Sequence, residues 1–208
     1  MTLARSATLL VSFLALSSQT ARADPHPYAI DEAGSRIVVH VGKTGLLGFA
    51  GHEHEILATV SHAALVVDPA HVEASSIDLA FDAGRLRVVG SGEPAKDLPK
   101  IQQAMLGPDC LDVGRFPVIR FVSKTLSAGS PSHDGLDVTV RGTLTLHGVS
   151  REIAVPIHVE LRDALLSAKG TVALKQTAFN IKPISVAGVV KVKDELQIEL
   201  QLIAHRAR

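Results

Sequence analysis

The chain has 208 residues, with 21 basic and 21 acidic side chains, ten histidines, one cysteine, one tyrosine and no tryptophan. Balanced charge without a basic block excludes a nucleic-acid binder that works by displacing counterions, and the shortage of aromatic rings argues against stacking on bases or sugars. The single Cys110 cannot form an internal disulfide, so apolar burial and backbone hydrogen bonding must hold the fold.

The first stretch, MTLARSATLLVSFLALSSQTARA, has a basic start at Arg5, an apolar run from Ala7 to Leu16 and a small-x-small end at Ala21-Arg22-Ala23. This is the pattern of a secretory signal peptide spanning residues 1–23, cut after Ala23. Its apolar run is about half the roughly 20 residues that a membrane span needs, so an uncleaved anchor fits less well. Residues 24–208 are then one exported domain, periplasmic or secreted, without stable membrane insertion.

Beyond Ala23 most of the chain alternates with period two, as expected of strands with one dry and one wet face. The first such segment is SRIVVHV, followed by EILATVSHAALVVD, SSIDLAF and PVIRFVSKTL. In LDVTVRGTLTLHGV, Leu136, Val138, Val140, Leu144 and Leu146 share one face; Asp137, Thr139, Arg141, Thr143, Thr145 and His147 share the other. EIAVPIHVEL, GTVALKQ and ELQIELQL continue the series, and SPSHDG and LHGVS carry hairpin chemistry. One segment differs: DLPKIQQAMLG predicts a short amphipathic helix with Leu98, Ile101, Met105 and Leu106 on its apolar face. Asp97 is placed to cap it and Gly107-Pro108 to end it.

These elements predict an all-β domain of about eight antiparallel strands, with the helix covering one end of the sheet core. The interior is either a dry sandwich or a hollow barrel. Val, Leu, Ile and Ala dominate the inward positions, and such small side chains leave volume unfilled, which favours the hollow form.

The stretch GFAGHEHEI places His52 and His54 two apart between Glu53 and Glu55. On a strand, His52, His54, Ile56, Ala58 and Val60 share a face, and Cβ atoms two apart lie about 6.5–7 Å from each other. Three roles are open to the pair: structural histidines near a rim, a polar mouth gripping a ligand head group, or a transition-metal or haem site. His40 and His62 are the candidate third ligands, although His40 falls opposite Ile37, Val39 and Val41. The helical His-Glu-x-x-His zinc motif is excluded because position 56 is Ile, and no Gly-x-Ser-x-Gly elbow occurs. His26, His71, His133, His147 and His158 read as loop or wet-face residues.

YAIDEAGSRIVVHV, LDVGRFPVIRFVSKTL, VRGTLTLHGVSREIAVPI and FNIKP with VKVKDELQIELQL together resemble the YceI-like family. The resemblance departs at QTAFNIKP, where Phe179, Asn180, Ile181 and Lys182 replace the family's usual pattern. It implies an extended, lipocalin-like antiparallel β-barrel that encloses a polyisoprenoid or other long-chain amphiphilic lipid, without catalysis and without a cofactor. The barrel-interior ligand contacts expected on this basis are Ile37, Val39, Val41, Leu79, Phe81, Ile119, Phe121, Leu144 and Leu146, with His52 and His54 at a polar mouth. The alternative is a periplasmic metal- or redox-linked protein using the same two histidines. The implied partner is a lipid or isoprenoid, with no nucleic acid; a homodimer stays open.

Overall fold

The computed structural model describes residues 24–44, 54–90, 95–186 and 190–207; the expected signal segment and His52 lie outside these. The strands are β1 (His26–Ile30), β2 (Arg36–Thr44), β3 (His54–Ala58), β4 (Val60–Val67), β5 (Ser76–Asp82) and β6 (Arg87–Val89). Helix α1 (Leu98–Leu106) follows, then β7 (Val118–Pro131), β8 (Leu136–Leu146), β9 (Val149–Arg162), β10 (Leu165–Lys175), β11 (Ser185–Val186) and β12 (Val190–Arg206).

All pairings are antiparallel, and the order β1-β4-β5-β7-β8-β9-β10-β12 closes on itself because β12 also pairs with β1. The result is an eight-stranded barrel. Beside the ring, β2 pairs with the first part of β12, β3 with β2, and β6 with β3. The consecutive pairs β1 and β2, β3 and β4, and β5 and β6 thus act as three long strands, each interrupted once. EILATVSHAALVVD, expected as one strand, is divided at Thr59 in this way.

The interruptions keep the apolar face inward. A strand's side chains alternate strictly, so an inserted residue exchanges the two faces. Along β3 the inward residues are His54, Ile56 and Ala58, whereas along β4 they are Leu65 and Val67. The shift from even to odd positions falls at the bulge between Val60 and His62. On β7 the inward set moves from Ile119 and Phe121 to Leu126 across the bulge between Ser123 and Thr125. The β8–β9 hairpin turns through His147 and Gly148 at φ 50° and 72°, the left-handed pair that a two-residue turn requires.

Call the end with His54 and α1 the upper end, and the end with β1 and the β7–β8 turn the lower end. The free edge of β6 lies at the upper end, and α1 covers it. Gln102 Oε1 accepts from the Val88 N–H at 2.8 Å, and its Nε2 donates to the Leu86 carbonyl at 2.8 Å. One side-chain amide thereby takes the place of a neighbouring strand. The helix presents Ile101, Ala104 and Met105 to the interior, whereas the Leu98 and Leu106 of the expected face do not border it. Nor does the Asp97 side chain cap the helix; its carbonyl accepts from the Lys100 and Ile101 N–H groups instead.

Removing the Gln102 amide leaves the half-buried Val88 N–H without this partner and the Leu86 carbonyl with only the Arg87 guanidinium at 3.0 Å, a loss of about 1–3 kcal/mol. Gln102→Ala is therefore expected to lower the urea midpoint of unfolding by a corresponding amount. A midpoint equal to the wild type's would show that α1 is held by apolar contact alone.

Candidate ligand-binding cavity

The inner face of the barrel surrounds a cavity of about 1010 Å³ that runs from α1 at the upper end to the β7–β8 turn at the lower end. Ligand pockets are typically about 300–1,000 Å³, so this one is at the large end of the range. Its wall is aliphatic: Val, Ile and Leu from β2, β5, β7, β8, β9, β10 and β12 face one another across open space. Val39, Phe81, Ile119, Phe121 and Leu146 point inward yet are only half-buried, because among the described residues no side chain opposite fills the space against them. Hollow barrel, rather than dry sandwich, is the observed interior.

Ile37, Val39, Val41, Leu79, Phe81, Ile119, Phe121, Leu144 and Leu146 all line this cavity. Phe121 lies over Gly142 on β8, where a Cβ would stand 2.6 Å from its ring and 2.4 Å from the Val122 carbonyl oxygen. Glycine here makes room for the Phe121 ring against β8.

Polar groups border the cavity mainly at its two ends. At the upper end His54, opposite Val41 on β2, shares the lining with Asp97 and Lys100 of α1. His52, its expected companion, is outside the described residues, so the pair is not brought together here. His40 faces outward as its register requires, with Nδ1 3.8 Å from Glu55 and Nε2 3.4 Å from Glu199.

At the lower end Asp68 is 1% exposed and borders the cavity. Its Oδ1 accepts from the Ala70 and His71 N–H groups at 2.9 Å, and its Oδ2 accepts from the Asp24 nitrogen at 2.8 Å. Burial pushes the carboxyl up, but the three backbone donors, aided by the His71 imidazole, outweigh it and hold the group below its ordinary value. Asp68 is thus a paired anion, not a spare one. Cys110, also on the lining, has its thiol pushed up by burial.

Two features were not foreseen from sequence. A 3-10 turn, Gln176–Phe179, folds over the upper end and buries Phe179 and Ile181 against Leu144 and Leu174. It is stapled to β12 by Gln176 Nε2 donating to the Lys193 carbonyl, and by Thr177, whose N–H and hydroxyl both donate to Asp194. Asp68 was the other omission. A lone Asp ending an apolar run signals a turn, and nothing local in the sequence distinguishes a buried Asp from a solvated one.

A family model described as the YceI-like domain matches residues 28–204. The chain belongs to the YceI-like family. Solved structures agree in fold. Burkholderia cenocepacia BcnA is 22% identical with a TM-score of 0.60, covering 84% of this chain and 99% of its own. A polyisoprenoid-binding domain from Saccharophagus degradans, implicated in plant cell wall breakdown, is 13% identical with a TM-score of 0.58, covering 88% and 99%. A Campylobacter jejuni YceI protein is 15% identical with a TM-score of 0.54, covering 71% and 81%. Comparison with curated proteins gave no significant match. Among the described residues of this YceI-like chain, no helix is long and apolar enough to cross a membrane.

The Asp68 pairing has a pH signature. A carboxyl held below its ordinary value of 3.8 stabilises the fold above that value, and the contribution is lost as pH falls through the lower folded value. Asp78, Glu152 and Asp194 are lowered in the same sense, so the wild type alone does not isolate Asp68. The difference in unfolding free energy between wild type and Asp68→Asn should shrink from about pH 6 to about pH 3. A difference constant across that range would mean that Asp68 is not the anchoring anion.

Proposed function

We propose that the protein is an exported, non-catalytic carrier that holds a polyisoprenoid or other long-chain amphiphilic lipid inside the barrel. The observation that carries this reading is the continuous aliphatic cavity, with polar groups concentrated at its ends. An apolar tail gains about 0.8 kcal/mol for each CH2-sized group moved out of water, and a long tail accumulates this along the whole wall. The nine lining residues named from sequence would be the tail contacts. His54, together with His52, would meet the head group at the upper mouth, near Lys100 and Asp97. The Saccharophagus degradans neighbour, a polyisoprenoid-binding domain, supports the choice of ligand class.

Export is supported from an independent direction. Cleavage after Ala23 would leave Asp24 as the first residue, and its nitrogen stands 2.8 Å from the buried Asp68 carboxylate. The ammonium formed by cleavage would then be paired with Asp68, a charge-assisted contact stronger than the neutral amide bond it replaces. The processed chain, rather than the precursor, would have the more stable lower end.

Native mass spectrometry of protein purified from its own host tests both parts. The expected result is a chain beginning at Asp24 that carries an organic-extractable adduct of several hundred daltons, order-of-magnitude for a ligand long enough to follow the wall. Phe121→Asp places an unpaired carboxylate on the wall and should abolish the adduct, with folding confirmed by circular dichroism. A folded wild type without adduct, or unchanged loading in the folded variant, would overturn the carrier reading.

A further inference from the structure

On the outer face of the lower end, three side chains from two elements converge. Because β9 presents odd-numbered residues to the cavity, His158 and Glu160 both face outward, two apart on one side of the strand. Asp134, in the turn between β7 and β8, folds back over them. One ligand atom from each of Asp134, His158 and Glu160 lies within 4.8 Å of the other two. We propose that these residues bind a divalent transition-metal ion, with zinc as the reference case.

The histidine is oriented as a metal-binding imidazole is. Its Nδ1 is held by Asp137 Oδ1 on β8 at 2.8 Å, the carboxylate–histidine arrangement that fixes the ring and frees the other nitrogen for an ion. That other nitrogen, Nε2, is buried and has no hydrogen-bond partner among the described residues. It stands 3.5 Å from Asp134 Oδ1. Two ligands at about 2.0–2.2 Å from one tetrahedral zinc are separated by a little more than 3 Å, so this spacing suits a shared ion.

Residue 135 reinforces the point. A Cβ at Gly135 would lie 2.3 Å from the Val159 carbonyl oxygen and 2.9 Å from His158 Nε2, so glycine is required for the turn to approach β9, and a side chain there would also fill the space beside the nitrogen. Glycine leaves that space open. Asp134 is steadied by the Ser132 hydroxyl at 3.1 Å, and the turn itself by Ser132 N–H donating to the Gly135 carbonyl. Arg162 binds Glu160 through Oε2 at 2.9 Å, and Lys169 lies opposite His158 on β10. These cations compete with the ion for negative charge, so three carboxylates facing two basic side chains and one imidazole point to moderate affinity. One imidazole and two carboxylates suit zinc, nickel or cobalt better than magnesium or calcium, which prefer oxygen alone. Three protein ligands leave an open position, and Asp134 also borders the cavity, so the ion would sit at the rim of the lower end.

The proposal does not depend on what the barrel holds. Its test is calorimetric titration of the chelator-stripped full chain with zinc chloride in a non-coordinating buffer, followed by metal analysis after dialysis. One zinc per chain is expected. His158→Gln should remove it, and Asp137→Asn should weaken it by about 10- to 100-fold while leaving the stoichiometry at one. Asp134→Asn, in an exposed turn, supplies a ligand deletion that spares the strand ladder should His158→Gln fold poorly. The His52→Ala/His54→Ala double variant should bind as the wild type does. Absence of zinc binding by the wild type would overturn the assignment. So would binding unchanged in His158→Gln and Asp134→Asn, or binding lost only in the His52/His54 double variant.

Discussion

The structure depends on the two-sided pairing of one long strand. β12, at 17 residues, pairs with β10 along one edge and with β2 and then β1 along the other, which closes the sheet into a ring. Closure gives every strand of the eight-stranded ring a neighbour on both sides over at least part of its length, the β9–β10 ladder ending at Ile157 and Gly170, so most backbone polar groups of the ring are satisfied without any core to stack against. The wall can therefore stand around open space. Without closure, the same aliphatic faces would have to collapse on each other to escape water, and no cavity would survive.

Given a closed wall, side-chain size determines the volume. Inward positions carry Val, Ile, Leu and Ala, with Phe81 and Phe121 as the large rings lining the space. The two bulges matter because they keep this face inward while each strand changes register. Polar groups are confined to the ends and are themselves paired where buried, Asp68 by three backbone donors and Gln176 by the Lys193 carbonyl. Among the described residues, the middle of the cavity offers a guest only apolar contact, aliphatic side chains together with the Phe81 and Phe121 rings. Selectivity between apolar guests would then rest on length and shape, and on what the two ends accept.

Period-two alternation was enough to read the strands and to name which residues face inward, because an antiparallel barrel wall imposes that period locally. Ile37, Leu79, Ile119 and Leu144 could be assigned to one side from neighbours in sequence alone. The division at Thr59 was not readable, since a bulge is a mismatch between two strands and is invisible in either one. The helix face was half readable: Ile101 and Met105 turn inward as expected, whereas Leu98 and Leu106, which fit the same 3.6-residue period, do not border the cavity, and Ala104 does. The fold-over at Gln176–Phe179 and the Asp134–His158–Glu160 cluster arise from long-range packing, to which local pattern is blind. His158 illustrates this: its strand register marks it as wet-face, and only the β7–β8 turn folding back over it covers Nε2.

The central claim is that the hollow takes up an apolar guest, and Cys110 offers the most direct reading of it. This sole cysteine of the chain borders the cavity, so alkylation by a small uncharged maleimide reports on access to the interior. Delipidated protein should react at a measurable rate that falls progressively as prenols of increasing length are added, and recovers when they are extracted. A rate that no prenol or fatty alcohol changes, in protein shown to be folded, would contradict the account.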